Sequence, residues 1–115
     1  MFDRLRRLLR RGDGPAWVES DELRRRLRRG DNAMVVDVRS PEEFDGELGH
    51  IPGALNIPLQ AFSAQISHLI HAGLPIVLVC LTDKRSSAAA AELAAAGARD
   101  VAVLRGGMKA WRGAG

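Results

Sequence analysis

The only thiol of this 115-residue chain is Cys80. It ends the apolar run "PIVLVC" (75–80) and precedes "LTDKRSS" (81–87), which leads into an alanine-rich stretch. A strand, a short loop and then a helix is where a parallel α/β sheet binds ligands, beyond the carboxyl ends of its strands. The backbone N–H groups of Leu81, Thr82, Asp83, Lys84, Arg85 and Ser86 would converge there on a point suited to an anion, and a sulfur at that point is favoured as thiolate. A helix N-terminus contributes roughly 0.3–1 kcal/mol. One pKa unit is about 1.36 kcal/mol. Loop amides and the charges of Lys84 and Arg85 must therefore supply most of the activation. The plain alternative is a small buried hydrophobe closing a core strand, and position alone leaves both readings open.

Other residues invite chemistry less strongly. Asp37 and Arg39 end a predicted strand on the same sheet edge as Cys80, and a structural ion pair is the simpler reading of them. His50 is a conceivable general base, but it lies in a Gly/Pro-punctuated turn, and a thiolate already formed needs no base. His68 and His71, three apart on one helical face, have no carboxylate spaced to complete a metal site. Gly106 and Gly107 fit a tight strand-to-helix turn better than a phosphate loop, since no Walker pattern surrounds them.

The elements that must position Cys80 follow from hydrophobic patterning. "AWVE" (16–19) reads as an edge strand, with Ser20 as N-cap of a helix that carries Asp21 and Glu22 early and Arg24 to Arg29 late, ahead of Gly30. "AMVVDV" (33–38) reads as a buried strand. In "SPEEF" (40–44), Ser40 and Glu43 form a capping box with Pro41 in the first turn. "GHIPGALNIP" (49–58) is a turn with a short strand over 54–57. Residues 59–72 are helical by spacing, 75–80 form the central strand, 86–96 a helix stopped by Gly97, 100–104 a last strand, and 106–111 the start of a helix that buries Trp111. Alternating strands and helices predict a single α/β domain, with a mainly parallel central sheet and helices on both faces.

Bulk properties bound the rest. A composition of 46% hydrophobic and 27% charged residues suits a globular domain. One cysteine excludes an internal disulfide and a multi-cysteine zinc site, and fits a reducing compartment. With no apolar run of membrane-spanning or signal length, the expected location is cytoplasmic. The net charge of +3 is concentrated in residues 1–30, which hold ten Arg against five acids. Residues 1–15 read as a basic arm and 16–115 as the domain. Within the arm, 2–11 has the spacing of a short amphipathic helix, broken by "GDGP". An anchor for an anionic membrane surface or nucleic acid is the sharper reading of 1–11, and a loosely packed solvated arm is preferred, because ten residues are marginal for an isolated helix. The second Arg cluster is better explained by helix-dipole chemistry than by nucleic acid, with no aromatic platform beside it.

Four segments together resemble the rhodanese family: "DVRSPEEF" (37–44), "GHIPGALNIP" (49–58), "VCLTDKRS" (79–86) and "LRGGMKAW" (104–111). Their order and spacing match, and the resemblance covers about residues 16–113. It implies a rhodanese-like domain and a sulfurtransferase. The matching nucleophile, Cys80, would attack the outer sulfur of a small anionic donor such as thiosulfate and become a persulfide. It would then pass the sulfur to cyanide, a thiol or a protein thiol, with ping-pong kinetics and no metal or organic cofactor. Leu81 to Ser86 would bind substrate, their amides stabilising the persulfide and Lys84 and Arg85 attracting the donor. Asp37 and Arg39 would brace the active loop and the "GHIPGA" turn. Rhodaneses resemble C-x4-R, and related phosphatases use C-x5-R to wrap phosphate. Arg85 lies five positions after Cys80, which favours sulfur over phosphate or arsenate.

The chain departs from the family pattern at Asp83, where many members carry Gly or another small neutral residue. Pointing inward, a carboxylate there would oppose the thiolate. Pointing outward, it would pair with Lys84 or Arg85. Leu81 also makes the loop less basic than in thiosulfate-specialised members. Asp83, together with the basic residues 1–11, motivates a second reading, a rhodanese-like interaction or sulfur-carrier module with little turnover, tethered through the N-terminal arm.

Overall fold

The structure, a computed structural model, describes residues 16–114, and the expected basic arm (1–15) with its helix over 2–11 lies outside them. Five strands form one sheet: β1 (Ala16–Val18), β2 (Met34–Asp37), β3 (Leu55–Asn56), β4 (Ile76–Val79) and β5 (Val101–Leu104). All pairs are parallel and the order is β1-β5-β4-β2-β3. Strand β4 is central, as its unbroken apolar run requires, and all four of its residues are buried. Its register sets Val77 opposite Val35 and Ala102, and Val79 opposite Asp37.

Side chains alternate across the sheet, so each strand feeds two cores. Val36, Leu78 and Val103 pack with Phe62, Leu69, Ala89 and Leu93. These come from α3 (Leu59–Phe62), α4 (Ile66–His71) and α5 (Lys84–Ala95). Val35, Val77, Val79 and Leu104 pack on the opposite face with Leu23, Met108 and Trp111, from α1 (Ser20–Arg28) and α6 (Gly107–Ala114). Helices thus cover both faces, and the remaining short helix, α2 (Pro41–Phe44), follows β2 at the carboxyl end of the sheet. Among the described residues no helix is long and apolar enough to cross a membrane.

Three local expectations are corrected. The N-cap of α1 is Glu19, not Ser20: Glu19 is extended, with φ −82° and ψ 155°. The N–H of Arg105 donates to the Val18 carbonyl at 2.9 Å, holding the strand up to that point, and the Glu19 carboxylate is drawn to Arg105 Nε at 2.7 Å. Ser20 becomes the first helical residue, its hydroxyl buried without a partner. The helix expected over 59–72 is interrupted by a 3₁₀ turn at Ser63–Gln65, whose exposed side chains do not anchor its phase to the sheet. Helix α5 starts at Lys84 rather than Ser86, because the Ser87 N–H closes back on the Asp83 carbonyl at 3.0 Å. Lys84, Arg85 and Ser86 therefore belong to a helical first turn.

The Arg-rich end of α1 is engaged locally. Arg25 and Arg26 pair with Asp21 and Glu22, and Arg29 with Asp31. The Arg24 guanidinium lies 3.9 Å from the Trp111 ring centroid and donates to the Trp111 carbonyl, tying α1 to α6.

Candidate active site

Cys80 directly follows β4 on the side of the sheet covered by α5. It is 1% exposed and borders the Val38, Phe62 and Ala89 core. The sulfur is not sealed among aliphatic groups alone. The Ser86 hydroxyl lies 3.2 Å from Sγ, and the Ser86 N–H donates to Sγ at 3.4 Å. Ser86 is itself fully buried, held there by the first turn of α5. Of the amides from Leu81 to Ser86 expected around the sulfur, only that of Ser86 reaches it. Among the described residues, the N–H groups of Leu81, Thr82, Asp83, Lys84 and Arg85 have no protein acceptor. Backbone donors are nearly always paired with protein, water or ligand, so these five are the loop's donors left open to solvent or to a ligand.

The carbonyls of the same loop are held elsewhere. The N–H of Met108 donates to the Cys80 carbonyl at 2.9 Å, and that of Lys109 to the Leu81 carbonyl at 3.1 Å. The first turn of α6 is thus clamped onto the loop. Gly107 permits this approach: it has φ +58°, and a Cβ there would collide with the carbonyl oxygens of Thr82 and Cys80. The tight strand-to-helix turn expected at Gly106 and Gly107 is present, and it has this second role, which sequence reasoning missed.

Asp83 takes neither of the courses expected from sequence. Its Oδ2 accepts from the Gly106 N–H at 3.3 Å, so the carboxylate faces the β5–α6 turn rather than the sulfur, and it pairs with neither Lys84 nor Arg85. Lys84 is exposed and makes no ion pair with a described residue. Arg85 reaches across to α2 instead, where Nη1 and Nη2 donate to Glu43 Oε1 and Oε2 at 2.8 and 2.9 Å. The Arg85 bonds hold the Glu43 carboxyl down at about 2. The Glu43 contact in turn raises Arg85, with smaller contributions from the charges of Cys80 and Asp37. Glu43 also completes the predicted capping box: its backbone N–H donates to Ser40 Oγ, and its carboxylate accepts from the Ser40 N–H, each at 3.2 Å.

Asp37 and Arg39 form a buried bidentate pair, each 1% exposed. Arg39 Nε and Nη2 bind the Asp37 carboxylate at 2.9 and 2.8 Å, Nη1 donates to the Glu43 carbonyl, and Nη2 donates to the Gly49 carbonyl at 2.7 Å. The pair joins β2, α2 and the 49–54 turn. It makes no direct hydrogen bond to the Cys80 loop, and its link to that loop runs through Glu43. His50 Nδ1 lies 2.8 Å from the Phe44 carbonyl, with its ring stacked on Phe44, a structural setting. His68 and His71 lie exposed on α4, and no metal-holding cluster of His, Cys, Asp and Glu occurs among the described residues. Beside the Cys80 loop a shallow depression of about 300 Å³ is lined by Glu42, Glu43, Glu47, Leu48, Leu81 and Arg39.

This fold and this cysteine loop are those of a rhodanese-like domain. The chain matches the Rhodanese-like domain family over residues 19–114 and belongs to it. It is 36% identical over 80 residues to the thiosulfate sulfurtransferase GlpE of Ectopseudomonas mendocina, which spans 70% of this chain and 71% of that protein. It is 41% identical over 83 residues to an uncharacterized protein, slr1261, of Synechocystis, spanning 71% of this chain but only 44% of that relative. The Rhodanese-like domain of the Anabaena protein Alr3790 superposes with a TM-score of 0.76 at 28% identity, covering 86% of this chain and 74% of that structure.

Proposed function

We propose that the chain is a sulfurtransferase that carries a sulfane sulfur as a persulfide on Cys80 and delivers it to an external thiol or to cyanide. The carrying observation is a sulfur bound by both the N–H and the hydroxyl of Ser86, next to a loop whose amides from Leu81 to Arg85 have no protein acceptor among the described residues. The Cys80 thiolate attacks the outer sulfur of thiosulfate. The S–S bond to the sulfonate sulfur breaks, sulfite leaves with the electron pair, and Cys80–S–S⁻ remains. The outer sulfur of that group lies one bond beyond Sγ, and amides of the loop that are not used within the protein are the donors that would stabilise its charge. The Ser86 N–H and hydroxyl stabilise the inner sulfur as thiolate before attack and again when it leaves in the second half-reaction. Relatives named thiosulfate sulfurtransferase support the reading.

Incubation with thiosulfate or an alkyl persulfide is expected to add one sulfur to the intact protein by mass spectrometry. Cys80→Ala is expected to take none. A wild-type protein that stays unmodified with every donor defeats the proposal.

A further inference from the structure

The family pattern invites the expectation that Arg85 receives an anionic donor. The geometry points to a different assignment: Glu43 is a specificity-determining positioning residue that keeps the Arg85 guanidinium occupied and so turns the site from dianionic donors toward sulfane-sulfur donors carrying at most one negative charge, such as alkyl thiosulfonates and persulfides. This rests on the sulfurtransferase reading above.

Both terminal nitrogens of Arg85 face Glu43, at 2.8 and 2.9 Å, so the fork that would bind two oxygens of a sulfonate is already filled. Glu43 is not free to swing aside. Its carboxylate is also held by the Ser40 N–H, its backbone N–H by Ser40 Oγ, and its carbonyl by Arg39 Nη1, itself buried against Asp37. The remaining charge near the mouth does not compensate. Glu42 and Glu47 line the adjoining depression, and Asp83 stands in the loop with its carboxylate on the Gly106 amide. Lys84 is the one loop cation without an ion pair to a described residue. Of the two cations that the loop itself carries, a dianion thus finds one already neutralised, whereas donors among the loop amides serve the transferred sulfur whatever its leaving group.

The chemistry balances for either donor class. With methanethiosulfonate, Cys80–S⁻ takes the terminal sulfur and methanesulfinate leaves with the electron pair. With thiosulfate the leaving group is sulfite. The two donors differ by one negative charge and a methyl group, so their kcat/KM ratio reads charge selection.

The test compares wild type with Glu43→Gln on both donors. Glutamine retains the capping-box geometry while removing the charge that neutralises Arg85. The expected result is a KM for thiosulfate lowered about 2- to 5-fold, the range of an exposed charge pair worth roughly 0.4–1 kcal/mol, with the methanethiosulfonate KM changed less and kcat for both within twofold. In an Arg85→Ala background the same Glu43→Gln change should leave the thiosulfate KM within twofold. A thiosulfate KM that is unchanged or raised by Glu43→Gln, or an equal fall in both backgrounds, overturns the assignment of Glu43. Failure of Cys80 to accept sulfur from either donor instead defeats the underlying sulfurtransferase reading.

Discussion

Strands β2 and β4 are neighbours, and each leads through a short loop into a helix, yet the two ends are built in opposite ways. At the end of β2, the charges of Asp37 and Arg39 are matched to each other and to the carbonyls of Glu43 and Gly49. At the end of β4, five successive amides have no protein acceptor among the described residues. Polar groups matched within the protein fix a shape, and donors left over remain open to solvent or to a ligand. The difference separates the structural arginine, Arg39, from the cysteine loop, although the sequence marks both ends equally.

The largest break in this contrast is expected at the saturated end. Arg39→Met leaves the Asp37 carboxylate buried without its partner and should cost about 3–5 kcal/mol, read as a lower urea midpoint. A comparable loss of stability for Cys80→Ser would contradict the contrast.

Next in size is Gly107→Ala, which puts a Cβ against the Thr82 and Cys80 carbonyls in a left-handed conformation. Strain of roughly 1–3 kcal/mol should appear in denaturation. With the clamp from Met108 and Lys109 displaced, sulfur uptake by Cys80 should slow by about tenfold, equivalent to about 1.4 kcal/mol. Unchanged uptake kinetics would show that the clamp does not shape the loop.

The smallest effect sharpens the link between the two ends. Glu43 sits near 2 in the folded protein against an ordinary 4.5. The folded state thus binds the proton less readily than the unfolded chain. Its stabilising contribution is complete above about pH 4.5 and falls away as the pH drops toward 2. Because the pair is about one-third exposed, solvent screening limits that contribution to about 1 kcal/mol or less. The stability difference between wild type and Glu43→Gln should shrink over that window and stay flat above pH 5. A difference that persists undiminished at pH 2 would remove the pair from the account.

Much of this was legible in the sequence because its causes are local. The run 75–80 announces a central strand by its apolar residues, and Ser40 with Glu43 announces a capped helix by a spacing of three. The parallel sheet and two-sided cover follow from alternation, and Cys80 and its loop from their place after the most apolar strand. What escaped was nonlocal or lacked a residue-type signal. Glu43 lies 42 positions from Arg85, and its role in the capping box already accounted for it. The clamp on the loop is made by backbone amides of Met108 and Lys109 to backbone carbonyls, a contact to which side-chain identity contributes only the permissive Gly107. The course of Asp83 depended on a turn contributed from 23 residues away.

The clamp also imposes an order in time. During synthesis the thiol and its strand leave the ribosome well before Gly106 to Lys109 do. A nascent chain that has reached α5 therefore carries its cysteine on an unbraced loop. Only when the later segment emerges and docks does the loop gain its lasting shape, so the surroundings of the thiol are completed late, after strands β2, β3 and β4 have all been made.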